Sequence, residues 1–227
     1  MKKLSRESVL KALALAINSV SLPHPIRVGI DGMSASGKTF LADELAEILR
    51  GMKRMVIRAG LDGFHNPPRI RKRQGSMSVE GYVEDSFDYA SVREKVLIPL
   101  GPEGNLQFQK EIFDQRKEQR RKTDLSRAST KSILVFEGVM LFNRELVDLF
   151  DYRILVDCSE QEILKRARIR DLEHFKSLEI LETKYARRFL PGQRIHMVQN
   201  RPQERAHAIL QNDELENPIL RFKSIRH

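Results

Sequence analysis

The amino-acid sequence predicts an α/β fold with three layers, in which helices cover both faces of a mainly parallel five-stranded sheet and a helical lid lies over one edge. Short apolar segments rich in β-branched residues alternate with longer amphipathic segments along the chain. Such alternation is expected for strands joined by helical crossovers. The 227 residues are enough for one domain with a sizeable core. Since no repeat or linker divides them, we predict a single domain over residues 1–227.

The predicted elements follow one another in a regular order. Residues 1–22 form an amphipathic surface helix, because charges interrupt an apolar run that is too short for a signal peptide or anchor. Short apolar runs predict strands at residues 26–31, 55–59, 132–136, 153–157 and 206–210. Helical spacing predicts helices at residues 39–50, 89–97, 160–175 and 178–189, and the basic segment 160–190 is the predicted lid. Pro, Arg and Gly without periodicity favour a loop at residues 66–83, and residues 101–105 favour a turn.

A glycine-rich segment follows the first predicted strand and precedes a long helix. It matches the pattern G-x-x-x-x-G-K-[ST] and consists, in order, of Gly32, Met33, Ser34, Ala35, Ser36, Gly37, Lys38 and Thr39. Such a segment wraps its backbone N–H groups around phosphates, at the positive end of the helix that follows. Lys38 is expected to reach the terminal phosphates, and the Thr39 hydroxyl is expected to bind Mg²⁺. The alternative is a glycine-rich turn that binds no nucleotide.

Two carboxylates follow predicted strands. Glu137 comes directly after the third strand, where a carboxylate can hold Mg²⁺ or its waters; the alternative is a strand-capping residue without a ligand. Asp62 follows the second strand, and the carboxyl ends of parallel strands face the ligand crevice. We therefore expect Asp62 near Mg²⁺ and the γ-phosphate, where it can accept the proton of an attacking hydroxyl. The alternative for Asp62 is a turn residue, and His65 either touches the substrate or packs within the loop.

The chain is basic, with a formal net charge of +9, which suits anionic partners such as nucleic acid, anionic lipid or phosphate-bearing substrates. Basic residues cluster at residues 69–73, 116–122 and 165–170. Within the last cluster, Arg166 and Arg170 share a helix face. If the lid closes, they can stabilise the transferring phosphate charge; the alternative is a solvated helix face.

Two further features bear on where the chain works. Cys158 is the only cysteine, so no internal disulfide is possible, and we expect a reducing cytoplasm. No 18 apolar residues occur in a row, so we expect no membrane partner.

In this order, these segments resemble the P-loop small-molecule kinase family that includes uridine kinase, pantothenate kinase and phosphoribulokinase. The matching segments are residues 32–39, 62–65, 85–88, 113–114, 136–138 and 166–171. The resemblance implies a P-loop NTPase fold, with ATP and Mg²⁺ as cofactors and phosphate transfer to a primary hydroxyl. It also implies that Asp62 is the base, that Glu137 belongs to the metal shell, and that Arg166 and Arg170 bind nucleotide.

The resemblance to uridine kinases is incomplete on the acceptor side. Asp85 matches the acid that holds ribose hydroxyls, and Phe113 belongs to an aromatic–Asp pair beside the substrate. In uridine kinases a histidine that reads the pyrimidine follows that pair, but residues 113–121 contain none, and Lys184 stands in the place of a base-contacting glutamine. We expect a small-molecule acceptor, first a nucleoside such as uridine. The alternatives are pantothenate, a sugar or a sugar phosphate.

Three other classes of protein compete with this interpretation. A switch GTPase is disfavoured because no Asn-Lys-x-Asp segment occurs. A nucleic-acid-associated ATPase would suit the charge, but no recognition motif or set of stacking aromatics accompanies the basic clusters, so we expect no nucleic-acid partner. A non-enzymatic nucleotide-binding module would have no need of Asp62. A homo-oligomer is left open.

Overall fold

The main sheet has six strands, one more than the sequence predicts. The computed structural model describes residues 5–114, 117–121 and 123–223. Its strands are β1 (Ile26–Gly32), β2 (Val56–Gly60), β3 (Gln107–Phe108), β4 (Phe113–Asp114), β5 (Gln119–Arg120), β6 (Ser126–Arg127), β7 (Ile133–Gly138), β8 (Tyr152–Asp157), β9 (Ala208–Gln211) and β10 (Ile219–Phe222). The main sheet has the order β10-β9-β8-β1-β7-β2. All neighbours in it are parallel except β9 and β10, so the predicted mainly parallel sheet is confirmed.

The sixth strand, β10, is not predicted from the sequence, because its four residues are mostly exposed and form no buried apolar run. Two small antiparallel ribbons, β3 with β6 and β4 with β5, lie outside the main sheet. Each of their strands has two residues, which is too short for a periodic signal.

Ten α-helical segments occur in the described residues. They are α1 (Arg6–Asn18), α2 (Lys38–Gly51), α3 (Pro68–Arg71), α4 (Val79–Asp85), α5 (Tyr89–Val92), α6 (Glu160–Arg170), α7 (Leu172–Phe175), α8 (Leu178–Lys184), α9 (Leu190–Asn200) and α10 (Pro202–Arg205). The π-helical segments Arg93–Leu97 and Tyr185–Phe189 continue α5 and α8, and 3₁₀ turns lie at Leu61–Phe64 and Val147–Leu149. None of these described helices is long and apolar enough to cross a membrane.

Helices cover both faces of the sheet, which confirms the three layers. On one face α1 and α2 pack on the strands through a core that includes Leu13, Leu45 and Ile30. On the other face a second core includes Phe64 and Phe136. A third cluster joins the lid region to the phosphate loop, and its members are Ala35, Ile163, Ala167, Leu181, Tyr185 and Leu190.

Two predicted segments differ from the structure, and one helix of the structure was not predicted. The loop predicted at residues 66–83 contains α3 and most of α4, and the hydroxyl of Ser78 caps α4 by accepting from the Gly81 N–H at 2.9 Å. The helix predicted at residues 160–175 is broken after Arg170. Helix α9 has no predicted counterpart, because Pro191 and Gly192 resemble a break in sequence although proline suits a first helical turn.

Two predicted features extend beyond the described residues. Residues 1–4 of the predicted N-terminal helix lie outside them, as do residues 116 and 122 of the second basic cluster.

The parallel strands end at one edge of the sheet, and this edge positions the candidate site. The glycine-rich loop follows β1, and Asp62 follows β2. Glu137, near the end of β7, is paired in register with Ile30 of β1 and Gly60 of β2. The sheet thus brings together three segments that lie far apart in sequence.

Candidate active site

The glycine-rich loop curls between the end of β1 and the start of α2. Gly37 precedes α2 in the left-handed region, with φ 98°. A Cβ on Gly37 would lie 2.5 Å from the Asn212 side-chain nitrogen, so both conformation and space require glycine there. Asn212 donates to the Ser36 carbonyl at 2.7 Å, which ties the loop to the segment after β9. The Ser36 hydroxyl is buried and has no hydrogen-bond partner in the described chain.

Lys38 lies at the centre of the charged groups of the site. Its ammonium group donates to the Met33 carbonyl at 2.8 Å, and the residue is only 6% exposed. Burial lowers the pKa of Lys38, whereas the charges of Glu137, Asp31 and Asp62 act to raise it. The structure therefore places Lys38 close to both carboxylates that the sequence predicts.

Asp62 lies in the 3₁₀ turn after β2 with its side chain 72% exposed. The imidazole Nδ1 of His65 is 3.0 Å from the Asp62 carbonyl oxygen and 4.0 Å from its carboxylate. The His65 ring packs against Phe87, with the ring centroids 4.6 Å apart, and burial lowers the pKa of His65. The Asp62 carboxylate is thus exposed to solvent, and burial favours the neutral form of the His65 ring beside it.

Glu137 is buried below the turn that carries Asp62. A guanidinium nitrogen of Arg58 lies 3.5 Å from its carboxylate. Burial raises the pKa of Glu137, with Asp62 acting in the same direction and Lys38 in the opposite one. The register of β7 with β1 and β2 places this carboxylate between the strand that leads to the loop and the strand that leads to Asp62.

The donor chemistry of this region fits Mg²⁺. Thr39 is an exposed residue in the first turn of α2, next to Lys38, and Glu137 and Asp62, whose charges both act on Lys38, supply carboxylate oxygens. Hydroxyl and carboxylate oxygens are the ligands that Mg²⁺ prefers, together with water and substrate phosphates. No group of three or more His, Cys, Asp or Glu arranged for a metal occurs in the described residues. These residues can therefore hold Mg²⁺ as partial ligands beside phosphate oxygens.

The two predicted lid arginines have different surroundings. Arg166 donates to the Ser36 carbonyl at 3.3 Å and to the Asn212 carbonyl at 2.7 Å, so it binds the rim of the loop. Arg170 donates to the Asp171 carboxylate at 2.6 Å, and this bond raises the pKa of Arg170. The charge of Arg170 contributes to lowering the pKa of Lys38, after the larger effect of burial.

Helix α9 holds the loop through a glutamine that sequence reasoning missed. The Gln193 carbonyl oxygen accepts from the Ser34 N–H at 2.8 Å. Its amide nitrogen donates to the Ser34 hydroxyl and to the Tyr82 hydroxyl, each at 2.9 Å. Gln193 is 1% exposed, and a Cβ on the preceding Gly192 would lie 2.6 Å from the Tyr82 ring. This close packing links the loop to α4, which carries Asp85. We call the part of the site around the predicted acceptor-binding residues, Asp85, Phe113 and Lys184, the acceptor side, and the part around the glycine-rich loop the donor side.

A second missed pair supports the start of the loop. The buried Asp31 carboxylate accepts from the Gly32 N–H at 2.7 Å and the Phe142 N–H at 3.0 Å, and it lies 2.7 Å from His196 Nε2. Gln193 and His196 are three residues apart, so they lie on the face of α9 that contacts the loop. That spacing could have revealed both residues only if the helix had been predicted.

Asp85 lies on the acceptor side, but its carboxylate is already hydrogen-bonded to neighbouring side chains. Its buried carboxylate accepts from two nitrogens of Arg73 at 2.9 and 2.5 Å and from the Gln74 side chain at 2.9 Å. The hydrogen bond from Arg73 lowers the pKa of Asp85. The expected contact with ribose hydroxyls stays a prediction, and it would have to share these oxygens with Arg73.

The remaining predicted residues line the same side. Phe113 is buried in β4, with its ring centroid 6.3 Å from that of His65. Lys184 ends α8, with its ammonium group 5.8 Å from the Phe175 ring centroid. Every predicted site residue therefore lies on the loop, on the carboxyl-end edge of the sheet, or in the lid and acceptor segments around it.

A strand–loop–helix with a buried lysine, beside two strand-end carboxylates on a mainly parallel sheet, defines a protein of the P-loop nucleotide-binding class. The model of the phosphoribulokinase / uridine kinase family matches residues 27–211. The chain belongs to this family.

Named relatives and a solved structure agree with this membership. Uridine-cytidine kinase B of Dictyostelium discoideum is 29% identical over 164 residues, which are 71% of this chain and 65% of that protein. A uridine kinase of Ligilactobacillus salivarius is 26% identical over 153 residues, or 66% of this chain and 68% of that protein. The chain thus spans about two thirds of their length. A possible uridine kinase from Bacillus stearothermophilus shares the fold, with a TM-score of 0.71 at 20% identity, over 89% of this chain and 97% of that one.

Proposed function

We propose that the chain transfers the γ-phosphate of ATP, in the presence of Mg²⁺, to a hydroxyl group of a small molecule. One observation carries the proposal: the register of β1, β2 and β7 brings the phosphate loop with Lys38, the turn with Asp62 and the carboxylate of Glu137 to one edge of the sheet. Phosphoryl transfer needs this combination, because catalysis consists mainly of positioning the phosphates and neutralising their charge.

Each group has a distinct part in the proposed reaction. Lys38 and the N-terminus of α2 bind the terminal phosphates. Asp62 is exposed at the mouth of the site and accepts the proton of the attacking hydroxyl. Thr39 and Glu137 hold Mg²⁺, which supplies positive charge to the phosphates when it is bound. Arg170, the last residue of α6, stabilises the transferring group.

A nucleoside such as uridine is the first candidate acceptor, because the named relatives are uridine and uridine-cytidine kinases. Pantothenate, a sugar and a sugar phosphate are the alternatives. The engagement of Asp85 by Arg73 weighs against simple binding of ribose hydroxyls. The acceptor is therefore the open part of the proposal.

The test is a panel of acceptors with ATP and Mg²⁺, namely uridine, cytidine, pantothenate, ribulose 5-phosphate and simple sugars, assayed for acceptor-dependent ADP release and for the phosphorylated product. We expect turnover with at least one of them and none for the Lys38→Ala variant. If RNA stimulates ADP release and none of the acceptors does, the protein is a nucleic-acid-associated ATPase and the proposal is wrong.

A further inference from the structure

Two separate segments each carry a pair of cationic side chains, and one arginine of each pair lies over an aromatic ring of β4 or α4. Arg71 and Lys72 come from the end of α3, whereas Lys184 and Arg188 come from the end of α8 and the π-helical segment that continues it. Burial lowers the pKa of Lys184, and the charges of Arg188, Lys72 and Arg71 lower it further. We call these four residues the cation cluster.

Aromatic rings, and not carboxylates, hold most of the cation cluster in place. The Arg188 guanidinium carbon lies 5.1 Å from the Tyr82 ring centroid and 5.5 Å from that of Phe189. Lys184 lies 5.8 Å from the Phe175 ring centroid, and the Arg71 guanidinium carbon lies 5.8 Å from that of Phe113. Stacking of this kind orients a cation without neutralising it.

The charge of the cation cluster is largely uncompensated. Among the described residues only Arg71 has an acidic partner in the cluster, through a 2.9 Å bond to Glu118. Arg188 donates to the Ser78 carbonyl at 3.3 Å. On the outer face of α6, by contrast, Arg168 pairs with Glu182 at 2.8 Å. Arg71, Lys184 and Arg188 are half-buried, whereas Lys72 is exposed. Like charges held together repel one another, most strongly where they are partly buried, and an anion bound between them removes that cost.

Two chains of contacts connect the cation cluster to the phosphate loop and to Asp62. Arg188 stacks on Tyr82, whose hydroxyl accepts from Gln193, the residue that also holds Ser34 of the phosphate loop. Arg71 stacks on Phe113, which packs against His65 beside Asp62. A molecule that placed an anionic group on the cluster would extend over these rings toward Asp62.

We propose that Arg71, Lys72, Lys184 and Arg188 bind a carboxylate or phosphate that belongs to the acceptor molecule. This inference rests on the proposed phosphotransfer and narrows its acceptor to small hydroxy acids and sugar phosphates, in place of neutral nucleosides. Arg71 and Arg188 offer planar, two-pronged donors to such a group, and the lysines add point charges.

The first test is direct binding of inorganic phosphate to the full chain, measured by isothermal titration at constant ionic strength. Saturating ADP and Mg²⁺ are present to occupy the phosphate loop, so that the measured heat does not come from phosphate binding at the loop. We expect binding to the parent chain, and affinity at least about tenfold weaker in the Lys184→Gln/Arg188→Gln double variant, since a hydrogen bond to a charged group is worth roughly 1.5–3 kcal/mol.

Arg187→Gln is the matched control, because Arg187 is exposed and adjacent in sequence to Arg188. It should bind phosphate as the parent does, and thermal melts should show that all variants fold. No phosphate binding to the parent, or equal affinity in the double variant, overturns the inference.

The second test compares pairs of acceptors that differ by one anionic group: glycerol with glycerate, and ribulose with ribulose 5-phosphate, with uridine alongside. We expect kcat/KM at least about 10²-fold higher for a charged member, corresponding to two or more charge-assisted bonds. Lys184→Gln should raise KM for that acceptor and leave kcat within a few-fold. The two pairs also separate a carboxylate from a phosphate site.

The outcomes separate the two proposals. Preference for uridine, with KM unaffected by Lys184→Gln, overturns the anion site and leaves the kinase function standing. Phosphate binding that depends on Lys184, without phosphorylation of any acceptor, overturns the kinase function and leaves the anion site standing.

Discussion

The donor side and the acceptor side of the site are built in different ways. On the donor side, the loop after β1 is held by backbone bonds and by buried side chains, such as Asn212 on the Ser36 carbonyl. On the acceptor side, Arg71 of α3 lies over the Phe113 ring of β4, and Arg188 of the π-helical segment after α8 lies over the Tyr82 ring of α4. Lys38 is 6% exposed, whereas Arg73 has a 61% exposed side chain.

This difference indicates which half tolerates change. Backbone N–H groups bind phosphates whatever the neighbouring side chains are, so the donor half suits every ATP-dependent reaction. The acceptor half recognises its ligand through side chains on short segments, which can change without disturbing the sheet. We therefore expect donor-side substitutions to abolish turnover and acceptor-side ones mainly to change KM.

The largest effect is expected at Lys38. Lys38→Ala should lower kcat at least about 10³-fold, because it removes the charge that binds the terminal phosphates. Steady-state ADP release measures the loss, and a thermal melt serves as control, since Lys38 is buried against the Met33 carbonyl. A folded variant that turns over normally would contradict the donor-side assignment.

Asp62 joins the two sides, and its removal should have the next largest effect. Asp62→Asn should lower kcat by about 10²-fold or more, the range expected for loss of a general base, with little change in ATP affinity. Because the side chain is 72% exposed, the melting temperature should not move. Unaltered kcat would exclude Asp62 from the chemistry and favour a nucleotide-binding module.

Gln193 tests whether the two sides are connected. Gln193→Leu leaves the Ser34 N–H and the Tyr82 hydroxyl without their buried partner, at a cost of roughly 1–3 kcal/mol. We expect kcat to fall about tenfold and KM for ATP to change less, because the loop is misplaced and not removed. Gln199→Ala, on the exposed part of α9, is the control. A fall in melting temperature with intact kcat would make Gln193 purely structural.

A Glu137 variant tests metal binding on the donor side separately from phosphate binding. Glu137→Gln removes one candidate oxygen charge for Mg²⁺, so the Mg²⁺ concentration for half-maximal rate should rise several-fold, about tenfold at most. Rates are compared at saturating ATP over a Mg²⁺ titration. An unchanged titration would show that Glu137 packs against Gly60 and does not bind the metal.

The smallest effect is expected at Asp85. Asp85→Asn and Arg73→Gln break the same ion pair, so each should raise KM for the acceptor by a few-fold through a looser α3–α4 segment. Glu80→Gln, on the exposed first turn of α4, is the control. If Asp85→Asn alone were severe while Arg73→Gln were silent, Asp85 would contact the acceptor itself.

The sequence predicted the donor side better than the acceptor side. The strand at residues 26–31, the glycine-rich loop and the helix that begins near Lys38 are consecutive, so one local pattern specifies them together. The segment at residues 66–83 carries no such pattern. Its short helices α3 and α4 depend on a cap at Ser78 and on the Arg73–Asp85 pair, which periodicity does not report.

By itself, the sequence determined the alternating strands and helices, the phosphate loop with Lys38, and the placement of Asp62 and Glu137 at strand ends. These are local features, set by backbone requirements and burial over a few residues. Only the tertiary structure decided that Gln193 holds Ser34, 159 residues away, and that His196 meets Asp31 across 165 residues. It also decided the cation cluster, because side chains from α3 and α8 meet only after the chain packs, and hydrophobic periodicity carries no information on which charged side chains will then face each other.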